Sequence, residues 1–142
     1  MNITGWTQNS DYSSTDLGTV SFEQASHAIL AFPWDQCLHE FTELVLHKKA
    51  ACPPGVGFNT EEMSHFHIYA VALNEWQLYL RLFRSGKIMG LFHKPAQVLY
   101  MEVKTLDQAV ALLGLFYDQE YGLLASEARK HPSREAVSPV LG

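Results

Sequence analysis

The chain has 142 residues, 47% apolar and 18% charged, a balance that supports a hydrophobic core and excludes an intrinsically disordered chain. Ten basic against fifteen acidic residues give a formal net charge of −5 with no basic stripe, which argues against a nucleic-acid binder. Two distant cysteines (Cys37 and Cys52), a start without a basic-then-apolar leader, and no apolar run of membrane-spanning length predict a cytoplasmic protein with reduced thiols and no membrane contact. We expect one domain over residues 1–142.

Residues 1–20, rich in Asn, Ser, Thr, Gly and Asp without a sustained period, read as a loose arm, with Trp6 available to dock on the body. Ser21-Phe22-Glu23-Gln24 is a capping box opening a short helix to about Leu30, with a strand over Ala28–Phe32 as the alternative. Pro33 fits the first turn of a second helix, whose apolar face carries Trp34, Cys37, Leu38, Phe41, Leu44 and Val45. Lys48 and Lys49 close it at the negative end of the dipole. A stiff connector, Ala51-Cys52-Pro53-Pro54-Gly55, leads to Val56-Gly57-Phe58 as a short edge strand. A longer strand follows from His65 to Leu73. A two-residue loop at Asn74-Glu75 would pair Val71 with Leu78 and His67 with Leu82.

Trp76 to Val103 reads as three consecutive strands. Trp76, Leu78, Leu80 and Leu82 alternate with Gln77, Tyr79, Arg81 and Phe83, a period of two. A loop at Ser85-Gly86 pairs Leu82 with Met89 and Leu80 with Leu91. A three-residue loop at Lys94-Pro95-Ala96 then sets Leu91 against Leu99 and Met89 against Met101, which keeps Glu102 out of the core. One face of this meander is Trp76, Leu78, Leu80, Leu82, Met89, Leu91, Leu99, Met101 and Val103. The other holds Gln77, Tyr79, Arg81, Phe83, Ile88, Gly90, Phe92, Val98, Tyr100 and Glu102. The first is a core face. The second is too aromatic for an ordinary solvated face, so either another segment or another molecule covers it. Thr105 and Gln108 then cap a helix carrying Leu106, Ala109, Val110, Leu113, Phe116 and Tyr117. Gly122 ends or kinks it, Ala125–Lys130 form its last turns, and residues 131–142 form a tail.

Catalytic and metal signatures are weak. His65 and His67 lie on one face of a strand as two ligands would, with His93 and Glu62 as conceivable partners. The expected register, however, puts His67 and His93 about 13 Å apart. No cofactor, metal or catalytic residue is therefore predicted. Cys37 and His39 point in different directions on a helix, and Walker, Gly-Xaa-Ser-Xaa-Gly and His-Glu-Xaa-Xaa-His patterns are absent. The stronger lead is the aromatic face. Tyr79, Arg81, Phe83, Phe92 and Tyr100 are residue types that dominate binding hot spots, and they are the candidate partner-binding residues.

In size, acidity and a strand meander between helices over residues 21–128, the chain resembles the immunity proteins that bacteria pair with secreted toxins. That resemblance implies a stoichiometric inhibitor that occludes a toxin's active site with an acidic or aromatic surface. Type III secretion chaperones are similar in size and acidity, but their alternation of helices and strands departs from the uninterrupted meander. The expected fold is α+β, an antiparallel sheet of four or five strands in a meander with helices packed on one face. The expected function is a non-enzymatic protein-binding module with a cognate toxin or effector as partner, and a homodimer is left open. The alternatives are a small enzyme or ligand-binding domain, with His65, His67 or His93 in a pocket between sheet and helices, and a secretion-effector chaperone.

Overall fold

A computed structural model describes residues 2–83, 87–88, 92–93 and 96–133, with side chains for 2–83 and 96–133. In chain order the elements are β1 (Ile3–Gln8), β2 (Ser14–Thr19), α1 (Phe22–Ala31), α2 (Trp34–Leu46), β3 (Gly55–Thr60) and β4 (His65–Ala72). They continue with β5 (Glu75–Leu82), β6 (Lys87–Ile88), β7 (Phe92–His93), β8 (Gln97–Val103), α3 (Leu106–Tyr117) and α4 (Tyr121–Lys130). The fold is α+β, with an antiparallel six-stranded sheet ordered β2-β1-β3-β4-β5-β8 and helices packed on one face.

The leucine periodicity places the core as expected. Trp76, Leu78, Leu80, Leu82, Met101 and Val103 are buried together, with Leu99 packed against them. Their strand pairing differs from the expected meander. β8 pairs directly with β5, setting Leu80 opposite Leu99, Leu78 opposite Met101 and Trp76 opposite Val103. β6 and β7 form a separate two-stranded ribbon, Lys87 opposite His93 and Ile88 opposite Phe92. The seven-residue β8 offers β5 an unbroken run of cross-strand pairs, more than a two-residue strand can supply. The loop at Ser85-Gly86 and the pairings of Met89 and Leu91 lie outside the described residues.

Residues 3–19 are not a loose arm. They form the β1–β2 hairpin, and β1 lies between β2 and β3. This makes β3, expected at an edge, an inner strand whose Val56 and Phe58 are fully buried. Val56 lies opposite Ile68, and Phe58 opposite Phe66. Gly5 lies opposite Phe58, close enough that a Cβ there would sit 3.1 Å from its ring.

The β4–β5 connection also differs. The turn is Leu73-Asn74, with Asn74 at φ 56°, and Ala72 pairs with Glu75. The register then shifts between Ala70 and Ala72, so that Ala70 faces Trp76, Ile68 faces Leu78 and His67 faces Tyr79, not Leu82. One extra residue in a strand with a side-chain period of two exchanges the faces. Phe66, Ile68 and Ala70 therefore enter the core, and His65, His67 and Tyr69 turn to the opposite face.

Ser21 and Gln24 form the capping box of α1 in both directions. The Trp34 Nε1–H donates to Ile29 O at 2.9 Å, and the Trp34 ring meets Trp76 edge-on at 6.2 Å, pinning the start of α2 to the sheet. Beyond Cys37 the apolar face of α2 is less enclosed than its spacing suggests, and Val45 is 52% exposed. The third helix ends earlier than expected, at Tyr117, through Gln119 at φ 58°, and Gly122 lies inside α4. Residues 131–133, assigned to a tail, line the β8 edge: the Glu102 N–H donates to His131 O at 2.9 Å, and Met101 bridges Pro132.

Candidate functional site

The face of the sheet turned away from the helices carries three rows of side chains, because residues directly opposite on neighbouring strands share a face. The central row runs Trp6, Gly57, His67, Tyr79, Tyr100. One flanking row is Thr4, Asn59, His65, Arg81, Val98, and the other is Gln8, Gly55, Tyr69, Gln77, Glu102. None of the central-row residues belongs to the helix-packed core. Arg81 and Glu102 are the charged residues of these rows on β5 and β8, and on β2 Asp16 pairs with Trp6 at the end of the central row.

Two glycines of β3 shape this face. A Cβ on Gly57 would lie 2.2 Å from Trp6 Cζ2, so the absent side chain is the seat of the indole. A Cβ on Gly55 would lie 2.5 Å from Ile68 O and 2.8 Å from His67 Nε2. Seated there, Trp6 packs against His67 with ring centroids 4.7 Å apart and planes tilted by 55°, and approaches His65 at 6.0 Å. Rings continue across the face: His67 to Tyr69 at 5.4 Å, His65 to Tyr79 at 6.1 Å, and Tyr79 to Tyr100 at 5.2 Å. These separations are those of attractive aromatic pairs. At the end of β5 the Arg81 guanidinium lies 5.0 Å from the Phe83 ring centroid, a cation–π contact.

Gly57→Ala is expected to unseat Trp6 and destabilise the protein by about 1–3 kcal/mol, the usual cost of overpacking. A denaturant titration with tryptophan fluorescence as the probe measures both effects. An unshifted midpoint and an unchanged spectrum would contradict the seat.

The Tyr69 hydroxyl donates to Gln77 Oε1 at 3.3 Å, and the Ser133 hydroxyl donates to the same oxygen. This polar cluster closes one side of the face. His67 sits differently. Its ring is partly accessible, yet Nε2 is sealed from solvent and makes no hydrogen bond. Burial, reinforced by neighbouring His65, lowers its pKa from 6.5 to about 4. Protonation is therefore easier in the unfolded chain. Neutral His67 contributes stability that is complete above pH 6.5 and is lost as pH falls through about 4. A series of urea midpoints should fall across that window, and His67→Leu should flatten the fall; an unchanged slope in the variant would assign the acid sensitivity elsewhere.

Of the expected binding residues, Tyr79, Arg81 and Tyr100 share this face, and Phe83 lies under Arg81. Phe92 is in β7, and its side chain lies outside the described residues, as does that of His93. Trp6, Asn59, His65, His67 and Tyr69 belong to the same surface and were not anticipated as part of it. The pairing of glycines two apart on β3 is the sequence signal that could have pointed to bulky rings packed above them. The expected helix-side pocket around His65 and His67 does not form, because the shift at Val71 puts both rings on the other side of the sheet.

Elsewhere, a groove of about 660 Å³ runs between the β1–β2 turn and α2, lined by Asp11, Glu40, Glu43 and His47 among others. Cys37 also lines it, but burial and then Glu40 raise its pKa, which keeps the thiol protonated and a poor nucleophile. Among the described residues no three His, Cys, Asp or Glu side chains are placed to hold a metal ion, and no helix is long and apolar enough to cross a membrane.

Fold and site together define an α+β protein with helices on one side of an antiparallel sheet and a platform of rings on the other. No protein-family model, curated protein or solved structure matches the chain.

Proposed function

We propose that the chain is a non-enzymatic protein-binding module that docks its partner on the ring platform, and that it acts in the cytoplasm as an immunity protein neutralising a cognate toxin. The observation that carries the docking reading is the central row, in which Trp6, His67, Tyr79 and Tyr100 are held side by side on inner and outer strands with no described helix over them. Tyr, Trp and Arg supply large contact areas at low entropic cost and account for most interface hot spots. The strands holding them are backed by the core, so the platform is preorganised and little ordering cost falls on binding. The toxin reading is supported by size, acidity and the placement of sheet and helices. The acidic residues Glu23, Asp35, Glu40, Glu43, Asp107 and Glu127 lie on the helices. These carboxylates lie on the helix side of the sheet, away from the rings, so they account for the acidity of the chain and not for docking at the platform.

The test is co-expression with the product of the adjacent reading frame. A one-to-one complex that suppresses that product's toxicity is expected. Absence of binding, or binding without neutralisation, would count against the toxin reading.

A second reading is favoured by the groove beside α2, which is large enough for a small ligand. Saturable binding of a metabolite that Glu43→Ala abolishes and Tyr79→Ala leaves intact would select it.

A further inference from the structure

We propose that the ring platform pairs with a second copy of this chain, the two sheets meeting face to face about a two-fold axis along the central row, so that Arg81 of each copy reaches Glu102 of the other. A contact of this kind needs a surface complementary to itself under rotation. The platform has that property. Its charges on β5 and β8 stand on opposite flanks, Arg81 in the row of His65 and Val98, Glu102 in the row of Tyr69 and Gln77. The rings of Trp6, His67, Tyr79 and Tyr100 lie between them.

Rotation about the central row exchanges the flanks and leaves the row facing itself. Each Arg81 then comes over Gln77 of the other copy, with Glu102 on the next strand, directly opposite Gln77. That step is about 4.8 Å, within reach of a guanidinium. Arg81 and Glu102 are both exposed in the single chain, and neither forms an ion pair with a described residue. Sheets packed face to face stay about 10 Å apart with strands within about 30° of each other, a gap that rings from both copies fill. An axis along the strands would instead bring Arg81 toward Arg81 and Glu102 toward Glu102, so charge selects between the two axes.

The area suits a weak dimer. Five strands about 4.8 Å apart and three rows about 6.7 Å apart give a footprint of roughly 500 Å² per copy, or about 1,000 Å² over both, the lower bound for a specific interface. Association is therefore concentration-dependent rather than permanent. One like-charge approach is built in: Asp16, at the β2 end of the row, faces its own counterpart. It is exposed, its carboxylate accepts from the Gly18 N–H at 2.8 Å, and at the rim water and salt screen it. A partner docking on the same rings competes with the second copy; that consequence rests on the docking reading, whereas the dimer does not.

The experiment is sedimentation equilibrium of the full chain alone, from about 10 μM to about 1 mM, a range that brackets weak dissociation constants. It needs no partner, so its failure is distinct from failure of the docking reading. The average mass should rise with concentration from 16.0 kDa toward twice that value. Arg81→Glu and Glu102→Arg should each weaken the dimer at least about tenfold, because each sets like charges against each other at two symmetric places. Both positions are exposed, so neither change disturbs the fold. Placing both substitutions in one chain should restore the dimer. So should mixing the two single variants, since a mixed pair has opposite charges at both crossings. A chain that stays monomeric throughout would overturn the proposal, as would a dimer indifferent to both reversals or a mixture that stays monomeric.

Discussion

Replacing Tyr79 with alanine is expected to weaken partner binding by about 2–4 kcal/mol, the range of an interface hot spot, or roughly 30- to 1,000-fold in Kd. Tyr79 lies in the central row, with Tyr100 at 5.2 Å on one side and His65 at 6.1 Å on another. Its neighbours along β5, Leu78 and Leu80, are fully buried, so its backbone is fixed from behind. The ring is only partly buried in the free chain, so truncation leaves no sealed cavity, and the unfolding midpoint should change little. Tyr100→Ala should behave alike, and the pair should be non-additive because the rings touch. Leu46→Ala, at an exposed position on α2, is the control and should bind as the unmodified chain does. Calorimetry with the purified partner decides: Tyr79→Ala binding at unchanged affinity would move the interface off this face.

The largest effect on stability is expected from Phe66→Ala, a loss of about 3–5 kcal/mol. Phe66 is fully buried on β4 opposite Leu80, with its ring 6.2 Å from Phe58 and 5.5 Å from Phe116. It therefore joins two strands to α3, and its removal leaves a void that none of these rigid elements can fill. A loss of that size is a large part of the stability of a domain of this length. It also tests the register shift at Val71, which places Phe66 rather than His65 and His67 against the helices. Urea unfolding giving a loss below about 1 kcal/mol would mean that Phe66 faces solvent and the histidines face the core.

The core face was legible in the sequence because leucines recur at every second position of β5 and continue through Met101 and Val103. The partner of β5 was not. Inserting or removing a whole strand between β5 and β8 preserves which residues share a side, so side-chain pattern cannot distinguish the two pairings. The β1–β2 hairpin was hidden for a different reason. Gly5, on the core side of β1, leaves no apolar mark, and every residue of β2 is exposed, so neither strand shows an apolar alternation. The shift at Val71 adds one residue and leaves the alternation intact on both sides of it. The alternation therefore does not reveal that His65, His67 and Tyr69 join Tyr79, Arg81 and Tyr100. The site was read from its outer half, β5 and β8, while its other half depends on a strand and a register that only three-dimensional packing selects.

The most direct measurement of the docking claim is chemical-shift mapping of the isotope-labelled chain as the product of the adjacent reading frame is added. The largest changes should fall on Trp6, His67, Tyr79, Arg81 and Tyr100, with the surfaces of α1, α2 and α3 unaffected. Changes confined to Gln36, Glu40, Glu43 and His47, with the ring platform silent, would contradict the account and place the working surface in the groove beside α2.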